Sequence, residues 1–452
     1  MVHCFEMLDS SIAIDVYSGC VHVMEKPAYM LTKYYSEAGF ETDGLSEKAV
    51  AFCDGISREA LEEAYGEIKE LYDGDMLFTE DCYQEIAKNF KKGTVVKALC
   101  LHVAHDCNLR CKYCFADEGD YGGKKGLMSL DTAKAAIDFV IENSASRKNI
   151  EVDFFGGEPL LNFDVVKETV KYAREQEKIH GKNFRFTITT NGILLDDEKL
   201  AFINENMCNI VLSIDGRKEV NDRVRVNANK KGCYDKIVPV FQKVAQSRNQ
   251  DNYYVRGTFT RYNLDFAKDV LHLADLGFKQ ISVEPVVAPF EEDYALQYED
   301  IDTICKEYET LAKEYIKRKK EGKGFNFFHF MIDLDQGPCV VKRLSGCGCG
   351  CEYMAVTPEG DIYPCHQFAG NEEFKVGNLK DGITNTELTA KFAKTNVYTK
   401  PDCSNCWAKF YCSGGCVANA QNFNGSIEKP YDLACHLQKK RVECAIAIKA
   451  AL

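Results

Sequence analysis

Cys107, Cys111 and Cys114 stand in the run His105-Asp106-Cys107-Asn108-Leu109-Arg110-Cys111-Lys112-Tyr113-Cys114-Phe115, with the spacing Cys-x-x-x-Cys-x-x-Cys. Three thiols this close in one loop cannot all leave it to pair elsewhere, but as thiolates they can wrap one compact inorganic core. A cubane iron–sulfur cluster takes four thiolates. Three from one loop leave one iron open to an exogenous ligand. The competing chemistry is a structural zinc site completed by a remote fourth ligand.

A second set of cysteines follows far downstream: Cys403-x2-Cys406-x5-Cys412-x3-Cys416, then Cys435. Upstream of these, Cys347 precedes Gly360 and Cys365, and Cys339, Cys349 and Cys351 crowd the same stretch in a Gly-Cys alternation. The chain holds 22 cysteines and starts without the basic, then apolar, signature of a secretion signal. In a reducing cytosol, the expected location, such density favours metal sites over disulfides. The scattered Cys4, Cys20, Cys53, Cys82, Cys100, Cys208, Cys233, Cys305 and Cys444 read mostly as small buried or surface residues.

Composition excludes other classes. A net charge of −13 argues against an electrostatic hold on nucleic acid or anionic lipid. No uninterrupted apolar run is long enough to span a bilayer. Neither observation excludes a peptide partner.

The elements that must position these thiols alternate. From about 95 to 322, strands are expected at 96–103, 150–155, 184–189, 209–214, 253–259 and 280–286. Helices are expected near 129–146, 163–179, 196–206, 234–247, 264–276 and 299–321. Six strand–helix units imply a parallel sheet with helices outside. Six is short of a closed eight-stranded barrel, so the expected fold is α/β, a partial (β/α)6 TIM-like barrel. Active sites in such folds lie at the carboxyl ends of the strands, and Cys107 lies just past the first. Residues 1–92 read as a small α+β domain. Its strands are Cys4 to Leu8 and Ile12 to Val23 (a break at Ser18-Gly19), and its helices lie near 27–38, 45–53, 57–72 and 79–91, with Ser46 a candidate N-cap. Residues 93–322 form the barrel and 323–452 a cysteine-rich domain.

The Cys-x-x-x-Cys-x-x-Cys loop resembles the signature of the radical S-adenosylmethionine (SAM) superfamily, in which SAM's amino and carboxylate groups occupy the open iron. Gly156-Gly157-Glu158, at the end of the second strand, resembles the motif that holds SAM's amino group. Two glycines there admit a close backbone approach. Ser213 and Asp215 share one side of the fourth strand and match the segment that contacts the ribose hydroxyls and SAM's polar atoms. Arg225 matches a position that pairs with SAM's carboxylate, with a surface charge as the alternative for Arg223 or Arg225. Thr190 and Asn191 match pocket-lining positions, and the backbone of Tyr113 and Phe115 is placed to read the adenine edge. The downstream cysteines resemble the SPASM domain, which binds two auxiliary 4Fe–4S clusters. The resemblance gives Cys403, Cys406, Cys412 and Cys435 to the distal cluster, and Cys347, Cys365 and Cys416 to the nearer one. The fourth ligand stays open among Cys339, Cys349 and Cys351, as does an open iron site.

With its N-terminal region, the chain is similar to maturases of ribosomally made peptides, above all the SCIFF maturases, which act on a six-cysteine peptide. The residues that carry this are Leu101 to Phe115 and Tyr411-Cys412-Ser413-Gly414-Gly415-Cys416. The resemblance implies three 4Fe–4S clusters, SAM, and thioether bonds from cysteine sulfur to a carbon, typically of threonine, through a 5′-deoxyadenosyl radical, as in sactipeptide and ranthipeptide formation. It also implies a cysteine-rich precursor peptide whose leader adds a strand to the winged-helix-like domain at 1–92, and an external reductant such as flavodoxin or ferredoxin. An anaerobic sulfatase maturase, oxidising Cys or Ser to formylglycine, is the alternative. No residue is assigned as the catalytic base.

Overall fold

Between residues 98 and 320 buried strands are each followed by an amphipathic helix, and this alternation builds the sheet. The computed structural model describes residues 1–90, 93–123, 125–334 and 340–452. The three N-terminal strands are β1 (Val2–Met7), β2 (Ser10–Asp15) and β3 (Val21–Met24). The six expected barrel strands follow as β4 (Ala98–His105), β5 (Asn149–Gly156), β6 (Asn183–Thr190), β7 (Asn209–Ser213), β8 (Tyr253–Phe259) and β9 (Gln280–Pro285). All six are parallel and lie side by side in chain order. The helices between them run Leu130–Asn143, Phe163–His180, Asp197–Asn206, Tyr234–Ser247 and Phe266–Asp275, and Ile301–Lys320 follows β9. The fold is therefore α/β with a partial, barrel-like parallel sheet.

The sheet continues beyond these six on both edges. The short β10 (Asn326–Phe327) adds in parallel beside β9. On the opposite edge β11 (Tyr353–Val356), from the cysteine-rich region, pairs in parallel with β4 and then turns into β12 (Asp361–Tyr363). The C-terminal region thus continues the barrel's own sheet, and Tyr353 lies level with Ala98 at the start of β4.

Side chains alternate between two environments, as the period of a strand requires. Leu99, Leu101, Val152, Phe154, Phe186, Ile188, Ile210 and Leu212 are fully buried in the main core. The intervening positions carry Cys100, His102, Asp153, Phe155, Thr187, Ser213 and Arg256 on the other, concave face.

The second N-terminal run divides into two strands at the break expected at Ser18-Gly19, where Asp15 closes a turn between them. Its Oδ1 accepts the backbone N–H of Tyr17 (3.0 Å) and Ser18 (2.9 Å), and Gly19 takes a positive φ of 77°. The three strands form an antiparallel sheet in chain order. Ser46 caps the helix Glu47–Phe52 as expected, accepting Ala49 N–H. The fourth helix is shorter than expected, Tyr83–Asn89, because the Asp81 carboxylate accepts the N–H groups of Tyr83 and Gln84 and starts it there. Helices 26–38 and 58–73 share a separate core around Leu31, Tyr35, Leu61 and Ile68. Phe5, Met7, Ile12 and Ile14 instead join the main core. His3 fastens this sheet to the C-terminal region: its ring stacks on Trp407 at 3.8 Å and its Nε2 lies 3.0 Å from Glu443. Among the described residues no helix is long and apolar enough to cross a membrane.

Candidate cluster and cofactor sites

The first cysteine loop begins where β4 ends. Asp106 Oδ1 accepts both the Cys107 N–H and the Lys125 ammonium at 2.9 Å, and Leu109 N–H points at Cys107 Sγ, 3.4 Å away. Arg110–Cys111 then pairs antiparallel with Arg225–Val226, which fixes the middle of the loop against the chain after β7. Cys107, Cys111 and Cys114 face one another closely enough for their charges to interact. Burial pushes the Cys107 thiol up to about 11 and the Cys111 thiol up to about 12. A trio this desolvated becomes thiolate only around a positively charged core, so the donor set fits an iron–sulfur cluster.

Gly156 and Gly157 at the end of β5 are required by the protein itself. A Cβ on Gly156 would lie 2.3 Å from the Ala104 carbonyl oxygen, and one on Gly157 would lie 2.2 Å from that of Asp106. The close approach expected for a ligand is thus also an approach of the β5 turn to the cysteine loop. Gly157 and Glu158 N–H groups donate to the Ala104 and Asp106 carbonyls at 2.8 and 2.9 Å.

The acidic residues expected near SAM are mostly turned into the wall. The Glu158 carboxylate, 1% exposed, accepts Leu160 N–H (3.0 Å), the Thr190 hydroxyl (2.7 Å) and Asn191 N–H (2.8 Å). Burial raises its pKa to about 7. Its role in this geometry is to tie the β5 turn to the β6 turn. Asp215 is fully buried and accepts from Arg225 Nε (2.9 Å), Arg225 Nη2 (3.1 Å), the Tyr113 hydroxyl (2.8 Å to both oxygens) and Thr258 N–H (2.8 Å). Arg225, the expected partner of SAM's carboxylate, therefore already holds a carboxylate, with its Nη1 3.9 Å from Cys111 Sγ. Arg223 lies elsewhere, 3.5 Å over the Tyr262 ring. Ser213 is half-buried on the concave face.

Sequence reasoning missed two neighbours of the loop. Asn191 Nδ2 donates to Asn108 Oδ1 at 2.7 Å and lies 3.6 Å from Cys107 Sγ. Only the position of Asn108 between two of the cysteines hinted at it. The second is an aromatic wall. Phe115 is half exposed, with its ring 5.4 Å from His366 and 6.0 Å from Tyr121, and Phe155 lies 5.2 Å from His366. His366 follows Cys365, so the C-terminal region supplies one side of the concave site. No sequence signal identified it.

The downstream cysteines gather into two groups. Cys403, Cys406, Cys412 and Cys435 line one cavity of about 430 Å³, a cradle with four thiols and room for an inorganic core. In the other, Cys349 is fully buried against Cys365, Cys347 and Cys416. The Cys349 thiol donates to Cys365, which holds Cys365 below the ordinary thiol value. Cys349 is thus brought to the Cys347, Cys365 and Cys416 group. Cys351 turns away, its Sγ 3.6 Å from the Thr389 carbonyl. Cys339 lies outside the described residues. The β11–β12 hairpin, closed by Gly360 N–H donating to Thr357 O at 2.9 Å, delivers Cys365.

Residues 101–284 match the Radical SAM superfamily model and residues 347–407 match SPASM, an iron–sulfur cluster-binding domain. The chain thus carries a radical SAM domain. A SPASM domain follows it, a pairing that implies SAM and iron–sulfur clusters as cofactors. A cysteine-type anaerobic sulfatase-maturating enzyme of Clostridium novyi is 26% identical over 338 residues, 71% of this chain and 88% of that protein. The structure of native anSMEcpe with bound AdoMet and a Kp18Cys peptide aligns with a TM-score of 0.64 at 20% identity, covering 79% of this chain and 99% of that one. The crystal structure of Streptococcus suis SuiB bound to precursor peptide SuiA aligns with a TM-score of 0.50 at 15% identity, covering 95% of this chain and 97% of that one.

Proposed function

We propose that this chain is a peptide maturase that forms thioether crosslinks between cysteine sulfurs and carbons of acceptor residues, typically threonine, in a ribosomally made six-cysteine precursor. The observation that carries this reading is the N-terminal three-stranded sheet. Its outer strand β3 pairs on one side with β2, and Val23 on it is 59% exposed. An edge strand of this kind can accept an extended leader peptide through main-chain hydrogen bonds. The anSMEcpe alignment covers 79% of the chain, whereas that to SuiB, in complex with a precursor peptide, covers 95%.

In this reading Cys107, Cys111 and Cys114 hold the SAM-binding cluster. Gly156, Gly157, Glu158, Thr190, Asn191, Ser213, Asp215 and Arg225 form the SAM pocket, with the backbone of Tyr113 and Phe115 at the adenine. With SAM and a reduced cluster bound there, these residues would hold the source of a 5′-deoxyadenosyl radical, the chemistry needed to take a hydrogen atom from the acceptor carbon. Cys347, Cys349, Cys365 and Cys416 hold a nearer auxiliary cluster, and Cys403, Cys406, Cys412 and Cys435 a distal one, giving three clusters. The chain's own residues orient the parts. Glu158 locks the turns around the pocket, Arg225 and Asp215 brace Cys111, and the Phe115, Phe155 and His366 wall closes the site from the C-terminal side. Crosslinking removes a hydrogen atom from carbon and a proton from sulfur; the auxiliary clusters, when bound, would give the surplus electron a way out, and an external reductant of the flavodoxin or ferredoxin class would supply the electron that cleaves SAM.

The sulfatase-maturase relative favours a second reading, oxidation of Cys or Ser to formylglycine on the same core. One experiment separates them: anaerobic incubation with SAM, reductant and a six-cysteine peptide, read by mass spectrometry. A loss of about two mass units per modification, with cysteines resistant to alkylation, supports thioether closure. Loss of a cysteine's sulfur supports formylglycine. Formation of 5′-deoxyadenosine with the peptide unchanged refutes this substrate.

A further inference from the structure

Lys400 is 2% exposed, and among the described lysines only Lys409, at 1%, is as buried. A buried ammonium requires partners for three N–H donors. Among the described residues it has one oxygen acceptor, the Gly414 carbonyl at 2.6 Å. The remaining groups that face it are thiols. Cys403, Cys412 and Cys435 belong to the distal group, and Cys416 belongs to the nearer one. Lys400 also lines the small cavity against Cys347 and Cys349, so it lies between the two groups.

The backbone is shaped around this side chain. Its own carbonyl accepts the Cys403 and Ser404 N–H groups at 3.0 and 3.1 Å, starting the distal loop. Its ammonium reaches across to the loop between Cys412 and Cys416. There Gly414 takes a positive φ of 84°, and Lys400 Nζ and Cδ lie in ordinary contact, 3.4 and 3.5 Å, with where its Cβ would be. One residue therefore touches both cysteine loops, by its backbone at one end and its charge at the other.

We infer that Lys400 is a built-in cation shared by the two C-terminal cysteine groups, placed to favour the reduced state of the clusters on both. The inference rests on the reading of these groups as auxiliary clusters. Reducing a cluster by one electron adds one negative charge, and cluster potentials follow net charge, hydrogen bonding to sulfur and solvent exposure. An ammonium shielded from water acts through a low dielectric and stabilises the added charge more than a surface lysine could. A positioned cation between the two groups also keeps their potentials linked, which suits an electron passing from one to the other.

The test is a redox titration followed by electron paramagnetic resonance on the full-length, iron-loaded protein, comparing Lys400→Gln, Lys400→Met and Lys400→Arg with the parent. The neutral variants are expected to lower both auxiliary potentials by at least a tenfold change in the reduction equilibrium, about 59 mV for a one-electron couple. Lys400→Arg is expected to stay near the parent, and the SAM-binding cluster to be unmoved in all. Full iron with unmoved potentials in the neutral variants overturns the inference alone. So does an arginine variant that shifts as far as the neutral ones, since loop shape and not charge would then be responsible. Should the neutral variants lose iron while Lys400→Arg keeps it, the cation is needed even for assembly and the inference holds. If all three lose it, the role is structural and the inference fails. A parent protein with no auxiliary cluster signal overturns the reading of the domain itself, and the inference with it.

Discussion

Arg225 and Asp215 form a two-point ion pair, Nε to Oδ2 at 2.9 Å and Nη2 to Oδ1 at 3.1 Å, directly behind Cys111. The pair crosses from the end of the fourth barrel strand to the short strand that pairs with the cysteine loop. It therefore connects the sheet to the cysteine loop at Cys111. Asp215→Ala would leave a guanidinium that is 8% exposed without its carboxylate. Breaking a buried pair from one side costs about 3–5 kcal/mol. The expected outcome is a lower midpoint of denaturant unfolding and reduced iron at the first site. Unchanged stability and iron content would show that the pair does not brace the loop.

Gly157 tests the link between the β5 turn and the cysteine loop. Gly157→Ala puts a methyl 2.2 Å from the Asp106 carbonyl oxygen, which is backbone and cannot rotate away. The loop before Cys107 must shift. Iron bound at the first site and SAM affinity should both fall several-fold, while the C-terminal cysteine groups, none of whose thiols lies on this turn, keep their iron. Mössbauer spectra of the variant with SAM added report both effects.

Cys349 and Cys351 are two residues apart and differ in environment. Cys349 faces Cys347, Cys365 and Cys416, and Cys351 faces the Thr389 carbonyl. Cys349→Ala is expected to lose or convert the nearer auxiliary cluster, and Cys351→Ala to retain it with a small loss of stability. Iron and sulfide content of the two variants, measured side by side, decides the assignment. The reverse pattern would move the ligand to Cys351.

Asp153 lies on the concave face beside Cys100 and Thr187, where burial, helped by the charge of Glu151, pushes its pKa up to about 7. A carboxyl raised in the folded state contributes stability that is complete below its ordinary value near 4 and is lost as pH rises through about 7. Asp153→Asn is neutral throughout. Its stability relative to the parent should therefore rise from pH 5 to pH 8, by on the order of 1 kcal/mol once partial solvent access is allowed for. Anaerobic denaturant unfolding at the two pH values checks this, and an equal difference at both would refute the raised pKa.

The sequence by itself determined the chemistry and the elements. The cysteine spacings are local, so Cys107, Cys111 and Cys114 announce their loop without any long-range information. The barrel strands and helices follow from a side-chain period that two or three turns of chain already display. The break at Ser18-Gly19 is legible locally, whereas the fourth helix is shorter than its apolar run suggests, because the Asp81 carboxylate meets the Tyr83 and Gln84 N–H groups. What only the tertiary structure decided was partnership across the fold. That Cys349 and not Cys351 joins Cys365 depends on how the β11–β12 hairpin packs, because two cysteines separated by one glycine look equivalent in one dimension. That Asp215 holds Arg225, that His366 meets Phe115, and that Lys400 reaches the Gly414 carbonyl are contacts between residues 10, 251 and 14 positions apart. Burial of a charge is paid in desolvation and offset by its partners, and which partners are present is known only once the chain has closed on itself.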